Sequence, residues 1–225
     1  MDKPSPAPRS LVLATRNAHK VAEIAALLGG QARCLSLKEF PAAPGVVEDA
    51  PTFAGNAAKK AVALAQWLAA QPAPADAPLG AHWWVLADDS GLEVDALGGA
   101  PGVHSARFAA LETGATGNAS DAANNAKLLT LLAAIPAAQR TARFRCALAL
   151  APVAPDAAGR LRAFDGACEG TIGFAPRGGQ GFGYDPLFVP EGFTESFAEL
   201  GEEVKNRISH RARALARLQA ALPLA

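Results

Sequence analysis

The stretch VLADDSGLEV, residues 85 to 94, places Asp88 and Asp89 directly after an apolar run. Residues 83 to 87 are apolar and β-prone, and residues 92 to 97 alternate between apolar and polar side chains, so both segments are predicted to be extended. The two aspartates are therefore predicted to lie in a turn at a strand end. Because a turn needs only one such residue, the pair indicates either a sharp bend or a site that handles charge.

The segments on either side of this stretch alternate between strand and helix patterns. Short apolar or alternating runs predict further strands over 10–15, 32–37, 141–153 and 161–173. Apolar residues at helical spacing predict helices over 18–30, 52–71, 121–134 and 209–222. The last two strands have no crossover helix between them, so they are predicted to be antiparallel. This order predicts the α/β class with a mixed sheet.

The composition limits the classes of partner. The chain of 225 residues has 21 Lys and Arg against 21 Asp and Glu, so no overall field favours nucleic acid or an anionic membrane. Any recognition of an anion must therefore be local. The first nine residues are Pro-rich and lack the apolar core of a signal peptide, so we predict a disordered lead over 1–9. The remainder, 10–225, is predicted to be a single domain.

The three cysteines, Cys34, Cys146 and Cys168, are far apart and show no metal-ligand spacing. An odd, dispersed set is typical of reduced thiols in a cytosolic protein rather than of a disulfide framework or a zinc site. In addition, no apolar run approaches the length of a membrane span. The sequence therefore predicts a soluble, cytoplasmic protein.

The stretch TRNAHK, residues 15 to 20, stands at the predicted junction of the first strand and the first helix. A helix N-terminus presents unpaired N–H groups and partial positive charge, which suits a phosphate. Thr15 and Asn17 add short polar side chains, and Lys20 adds a cation. The glycines of a Walker A loop are missing. The pattern also fits an ordinary N-cap at Asn17 with a solvated lysine, and the stretch alone does not distinguish the two.

The acidic residues Glu48, Asp88 and Asp89 form a candidate magnesium site. Magnesium prefers hard oxygen ligands, usually one or two carboxylates together with water and substrate phosphates. One carboxylate can hold the metal while its neighbour accepts a proton from an attacking water. The alternative is a turn in which Asp88 caps its own backbone. The spacing does not fit the D-x-D pattern of aspartyl-nucleophile phosphatases.

The stretch RGGQGFGYDP, residues 177 to 186, is rich in glycine, which lets the backbone approach a ligand closely. Phe182 and Tyr184 offer faces on which a base could stack, and Asp185 offers an acceptor. The alternative is a hairpin loop whose aromatic side chains belong to the core.

The basic stretch EEVKNRISHRARAL, residues 202 to 215, is predicted to begin its helix at Ser209 as N-cap. Lys205 then approaches from a preceding loop, beside His210 and Arg211. The predicted buried stripe consists of Ile208, Ala212, Leu215 and Leu222. The alternative is a solvated basic helix on which His210 is exposed, as Arg213 and Arg217 are predicted to be.

Taken together, these stretches resemble the inosine triphosphate pyrophosphatase family, the Ham1-like enzymes that clear non-canonical purine nucleoside triphosphates. The matching stretches are LATRNAHKVAEI, TFAGNAAKKA, LADDSGLEVDALGGAPGVHSARF, GFGYDPLF and KNRISHRARAL. They occur in family order from Leu11 to about Leu218. The resemblance implies a strongly curved mixed sheet flanked by helices, in two lobes with the active site in the cleft between them. It also implies hydrolysis of the α–β phosphate bond to a monophosphate and pyrophosphate, with Mg²⁺ as cofactor.

The resemblance implies a role for each matching residue. The triphosphate would be held by Thr15, Arg16, Asn17, Ala18, His19 and Lys20. Asp89 would bind the metal and accept a proton, with Asp88 beside it, and Glu48 would be a further contact to the metal. Lys20 and Lys60 would be the catalytic cations of the phosphate site. The nucleoside would be surrounded by Ser90, Phe182, Gly183, Tyr184, Asp185, Lys205, His210 and Arg211.

These roles make chemical sense for ITP, dITP and XTP. Hypoxanthine and xanthine carry an acceptor oxygen at C6, where adenine carries an amino donor. Donors from Lys205, His210 and Arg211 would pair with that oxygen and be stranded against adenine, which costs about 1–3 kcal/mol or more. Guanine shares the 6-oxygen, so its exclusion requires crowding at its 2-amino group. Family members are commonly homodimers, so a homodimer is expected, without nucleic-acid or membrane partners.

Two departures from the family pattern stand out. Gly55 replaces an acidic residue in TFAGN, and the Pro/Ala loop over 72–81 is longer than usual. Two rival functions remain open: a Maf-like pyrophosphatase acting on other nucleotides, and a non-catalytic module that senses nucleotides. A pure binder has no need of three carboxylates around a bound triphosphate, so the acidic residues favour hydrolysis.

Overall fold

The structure is a computed structural model that describes residues 9–72, 83–113 and 117–221. Within these ranges no helix is long and apolar enough to cross a membrane. The predicted disordered lead lies outside the described residues except for Arg9, which begins the first strand. The predicted loop over 72–81 also lies outside them, apart from its first residue.

The sheet contains the predicted strands and one more. The strands are β1 (Arg9–Leu13), β2 (Ala32–Ser36), β3 (Trp83–Val94), β4 (Thr141–Pro152), β5 (Arg162–Ile172) and β6 (Phe188–Pro190). They lie in the order β2-β1-β3-β4-β5-β6. Strand β1 is parallel to β2 and β3, whereas β5 is antiparallel to β6. The predicted α/β fold with a mixed sheet is confirmed.

Six α-helices flank this sheet in the described part of the chain. They are α1 (Ala18–Leu28), α2 (Phe53–Ala69), α3 (Ala110–Thr113), α4 (Asp121–Leu131), α5 (Phe197–Ile208) and α6 (His210–Ala221). Asn17 caps α1 by accepting hydrogen bonds from the His19 and Lys20 amides, and Ser209 caps α6 by accepting one from the Ala212 amide. Both predicted caps are therefore confirmed.

The chain divides into two compact units. The first is drawn from Met1–Asp89, Ala147–Asp165 and Ala214–Ala225, and the second from Ser90–Cys146 and Gly166–Arg213. Apolar side chains of β1, α2 and β3 fill the core of the first unit: Leu11, Val12, Leu13, Ala57, Ala61, Leu64, Leu68, Val85 and Leu86. The core of the second unit is rich in aromatic rings: Phe108, Phe144, Tyr184, Phe188 and Phe197. The prediction that 10–225 form a single domain stays a prediction.

The turn predicted at Asp88 and Asp89 is wrong. Strand β3 runs through both residues and continues to Val94. Both residues are buried, at 1% and 7% exposure. A charged pair inside a strand costs desolvation unless cations compensate for it, and the cations come from helices that are distant in the sequence.

The loop predicted before Ser209 is instead helix α5, which contains Lys205. The helix begins with a capping box: the Ser196 hydroxyl accepts from the Glu199 amide, and the Glu199 carboxylate accepts from the Ser196 amide. The sequence S-F-A-E at 196–199 is a signal for this start. Lys205 lies in the part of α5 that follows a break at Gly201, so it is held by helical backbone and not by a loop.

Gly170 in β5 leaves no room for a side chain. A Cβ there would lie 2.3 Å from the Val189 carbonyl oxygen and 2.6 Å from the Phe188 ring. We expect Gly170→Ala to lower the free energy of unfolding by about 1–3 kcal/mol, as overpacking does, measured by urea denaturation. Gly159→Ala is the matched control, because a Cβ there would meet nothing within 4 Å. Equal stability of the two variants would contradict this packing.

Candidate active site

Three acidic residues and two lysines meet in the first unit. This carboxylate–lysine cluster consists of Lys20, Glu48, Lys60, Asp88 and Asp89. The Lys20 ammonium donates to Asp88 Oδ1 at 2.6 Å, and the Lys60 ammonium donates to Glu48 Oε2 at 2.8 Å. The structure thus brings together all five residues that were predicted to bind metal or act in catalysis.

The position of the doublet in β3 explains why each aspartate meets a different lysine. Successive side chains of a strand point to opposite faces of the sheet. Asp88, whose side chain is fully buried, pairs with Lys20 from α1. Asp89 lies 3.6 Å from the ammonium of Lys60 on α2. The two carboxylates therefore occupy different surroundings, although they are adjacent in the chain.

Lys60 holds three oxygen acceptors around a single ammonium group. It donates to Glu48 and to the backbone carbonyl of Asp88 at 2.9 Å, and a carboxylate oxygen of Asp89 lies 3.6 Å away. Its side chain is only 11% exposed, so these contacts replace most of its hydration. Lys60 fixes the segment that carries Glu48 against β3.

Asp89 has the features of a basic carboxylate. Burial raises the pKa of its carboxyl, and the charges of Lys60 and Lys20 partly oppose that rise. Its Oδ2 atom is buried and makes no close hydrogen bond among the described residues, although the nearby Asn56 amide favours the charged form of the carboxyl and so lowers its pKa. An unsatisfied carboxylate oxygen in a buried position is costly unless another group binds it. The atom is therefore suited to bind a cation or to accept a proton.

The donor set suits a hard cation. Asp89 Oδ2 and the carboxylate of Glu48 are oxygen ligands of the kind that magnesium prefers. In the part of the chain that the structure describes, no three His, Cys, Asp or Glu side chains converge as a metal cage. A magnesium ion here would take one or two protein carboxylates and draw its other ligands from substrate and water.

The start of α1 lies at the end of β1, as the sequence predicts. Thr15 Oγ1 accepts from the Asn17 amide at 3.1 Å, and Asn17 Oδ1 accepts from the His19 amide at 2.9 Å. Arg16, Asn17, Ala18 and His19 are exposed, whereas Thr15 and Lys20 are half-buried. Asn17 is thus an ordinary N-cap, as one of the two interpretations of this stretch predicted. Lys20 is half-buried, however, and is not the solvated lysine that the same interpretation predicted.

Asn56, at the start of α2, is a residue of this site that the sequence analysis missed. It is buried, and its Oδ1 accepts from the Ala50 amide at 2.9 Å. This hydrogen bond ties the segment after Glu48 to the helix that carries Lys60. The residue lies within the matching stretch TFAGNAAKKA, which was the only signal for it.

Gly55 also has a structural explanation. Its amide donates to the Thr52 hydroxyl, which caps α2, so the cap does not need the acidic residue that the family often has there. A Cβ at this position would lie 2.8 Å from the Ala50 Cβ. The missing side chain therefore lets the segment that follows Glu48 pack closely on α2.

The second unit contains a buried ion pair beside an aromatic ring. The Lys205 ammonium donates to Asp185 Oδ2 at 2.6 Å, and both side chains are almost fully buried. The same Asp185 oxygen accepts from the Phe182 amide at 2.9 Å. Lys205 also lies 4.5 Å from the centroid of the Phe182 ring, within cation–π range. One cation thus orders both ends of the segment 182–185.

Arg211 and His210 are buried at the start of α6. Arg211 donates to the Ser90 hydroxyl at 3.0 Å and is 1% exposed. The His210 ring stacks on Phe144 with centroids 4.8 Å apart. The alternative of an exposed His210 on a solvated helix is therefore wrong. Arg213 and Arg217 are exposed, as predicted.

Tyr184 does not present its ring as a stacking surface. The ring belongs to the core of the second unit, and the hydroxyl donates to the Ser105 carbonyl at 2.9 Å. Burial raises the pKa of this phenol. Tyr184 could therefore contact a substrate only through its backbone. The Phe182 side chain is half-buried, so a base can approach its ring.

The buried pair of Lys205 and Asp185 gives a stability prediction. We expect Lys205→Met to destabilise the protein by about 3–5 kcal/mol, because it leaves the Asp185 carboxylate buried without its cation. Arg217→Met is the matched control: Arg217 pairs with Asp165 at the same 2.6 Å, but both side chains are exposed, so the expected loss is below about 1 kcal/mol. Urea denaturation measures the free energy of unfolding of both variants. Similar losses of stability would show that the pair of Lys205 and Asp185 is solvated.

Known proteins are similar to this chain over nearly its whole length. The model of the Ham1 family matches residues 11–221. The dITP/XTP pyrophosphatase of Opitutus terrae is 49% identical over 215 residues, which cover 92% of this chain and 96% of that protein. The dITP/XTP pyrophosphatase of Geobacter sulfurreducens is 48% identical over 210 residues, covering 93% and 94%.

Solved structures agree with this assignment. The Ham1 protein of Staphylococcus aureus superimposes with a TM-score of 0.76 at 34% identity, over 96% of this chain and 98% of that one. A HAM1 protein from Coxiella burnetii superimposes with a TM-score of 0.76 at 36% identity, over 96% and 100%. Sequence and fold therefore lead to the same conclusion: the chain belongs to the Ham1 family.

Proposed function

We propose that the protein hydrolyses ITP, dITP and XTP at the α–β phosphate bond, giving the nucleoside monophosphate and pyrophosphate. The observation that carries this proposal is the carboxylate–lysine cluster, in which a buried, basic carboxylate lies beside two cations and the start of a helix. The relatives from Opitutus terrae and Geobacter sulfurreducens carry the name dITP/XTP pyrophosphatase, which supports the same substrates here.

Residues 15–20 and the two lysines would bind the triphosphate. The start of α1 supplies backbone N–H groups and the positive end of the helix dipole. The ammonium groups of Lys20 and Lys60 lie 2.6 and 3.6 Å from the carboxylates of the doublet. They would offset the negative charge that otherwise repels a nucleophilic water.

Asp89 would act as the proton acceptor. An oxygen of water forms a bond to phosphorus as the α–β bridging bond breaks, the water proton passes to Asp89, and pyrophosphate leaves. Asp89 and Glu48 would hold Mg²⁺, which when bound withdraws charge from the phosphate oxygens and acidifies water. The closer pairing of Asp88 with Lys20 favours Asp89 as the group that accepts the proton.

Residues of the second unit would select the base. The Phe182 ring offers a stacking surface, as aromatic side chains commonly do for bases. Lys205 and Arg211 are nearly fully buried donors, and a buried donor discriminates strongly between a 6-oxygen and a 6-amino group. Asp185 fixes the Lys205 ammonium at 2.6 Å, which keeps that donor in place.

Two predictions about the setting complete the proposal. We expect a homodimer because of the family resemblance. We expect a cytoplasmic location because the cysteines are dispersed. Of these cysteines, Cys146 and Cys168 are buried, and burial raises the pKa of the Cys168 thiol to about 11. A thiol of that pKa is unreactive at neutral pH.

The first test identifies the products from each nucleotide. We expect the purified protein with Mg²⁺ to convert ITP, dITP and XTP to the monophosphate and pyrophosphate, with little from GTP or ATP, as resolved by ion-exchange chromatography. Chelation by EDTA should abolish turnover, and added Mg²⁺ should restore it. Orthophosphate and a diphosphate as products would refute the site of cleavage. Tight binding without turnover would favour the nucleotide-sensing module.

The second test removes the proposed proton acceptor. We expect Asp89→Asn to lower kcat for ITP at least about 100-fold, as loss of a general base does, while ITP binding stays measurable by calorimetry. Asp156→Asn is the control, because Asp156 is an exposed aspartate whose cation is its own neighbour Arg160. Unchanged kcat in Asp89→Asn would remove Asp89 from this role.

A further inference from the structure

The backbone of Gly183 is held at both its N–H and its C=O group by a single helix. The Gly183 amide donates to Asp121 Oδ2 at 2.6 Å, and the Gly183 carbonyl accepts from Asn125 Nδ2 at 3.0 Å. Asp121 and Asn125 stand four residues apart in α4, so they lie on the same helix face. We call these two side chains the Gly183 clamp.

The clamp acts on the segment that carries Phe182 and Asp185. Gly183 has φ +64, a left-handed conformation that glycine adopts freely. Glycine also loses more conformational freedom on folding than any other residue, so the two hydrogen bonds help to hold its backbone in one orientation. Asp185 holds the Phe182 amide and Lys205 from one side, and the clamp holds the next peptide from the other.

Helix α4 is itself anchored, which makes the clamp rigid. Asn124 accepts from the Ala109 amide at 2.9 Å and donates to the Ala106 carbonyl at 3.3 Å. Ser120 caps the helix, and Leu128 buries its apolar face. The clamp residues therefore extend from a fixed helix to a glycine-rich segment, and movement of the helix would move that segment.

We infer that Asp121 and Asn125 are positioning residues for base recognition: by fixing the Gly183 peptide, they hold the Phe182 ring beside Lys205 in the orientation that receives the purine. This inference rests on the proposed function, because it takes Phe182 and Lys205 as the base-binding groups. Neither clamp residue belongs to the carboxylate–lysine cluster. Their loss should therefore weaken nucleotide binding and leave the chemical step largely intact.

Steady-state kinetics test the inference. We expect Asp121→Ala to raise KM for ITP about tenfold or more, since it removes a charge-assisted hydrogen bond, with kcat changed less than about threefold. Asn125→Ala should act in the same direction, and Asp121→Asn should recover part of the loss because it keeps an acceptor oxygen. Thr130→Ala, which removes only a hydrogen bond internal to α4, is the control. Unchanged KM, or a fall in kcat alone, would overturn the inference.

A double-mutant cycle separates positioning from general destabilisation. If the clamp acts through Phe182, Asp121→Ala should raise KM far less in a Phe182→Leu background than in the wild type. If Asp121→Ala raised KM as much in the Phe182→Leu background as in the wild type, the clamp would not act through Phe182.

Amide exchange gives a readout that does not depend on activity. The Gly183 amide should exchange faster in Asp121→Ala than in the wild type, whereas it should stay protected in Thr130→Ala. Failure of the wild type to hydrolyse ITP would refute the proposed function, and exchange would still decide whether the clamp exists. Unchanged exchange in Asp121→Ala would refute the clamp itself.

Discussion

Burial of negative charge is the constraint on which both parts of the candidate site depend. Asp88 in the first unit and Asp185 in the second have side chains with almost no exposure, and each accepts from a lysine at 2.6 Å. A buried carboxylate without a cation would cost several kcal/mol. The helices that supply Lys20 and Lys205 must therefore take fixed positions against the strand or segment that carries the acid. The groups proposed to recognise the substrate therefore have positions that folding already fixes.

Short stretches of sequence correctly predicted the features that depend only on neighbouring residues, such as helix caps. Asn17 and Ser209 were identified as caps because a cap and the amides it binds lie within a few residues. The turn at Asp88 and Asp89 was wrong for the opposite reason. Composition near the doublet predicts a break in the strand, but Lys20 is 68 residues away from Asp88. No local pattern contains that compensation.

The same distinction explains which site residues were found. Residue types that suit phosphate and metal predicted Lys20, Glu48, Asp88 and Asp89, whereas Lys60 was predicted only from the family resemblance. These five residues do meet. Asn56, Asp121 and Asn125 were missed because they bind backbone groups of Ala50 and Gly183. An amide or carboxylate that holds another peptide has no signature of its own in the sequence. Only the fold shows which peptide it reaches.

The contacts of the Lys60 ammonium determine whether the fold depends on a bound metal ion. Because this ammonium lies 2.8 Å from Glu48 and 3.6 Å from Asp89, a cation of the chain itself offsets part of the negative charge that would otherwise oppose folding. Structural zinc domains behave differently, since they unfold when the metal is removed. The proposed Mg²⁺ would therefore bind to a site that folding has already assembled, and the fold of the first unit would not depend on the concentration of free magnesium.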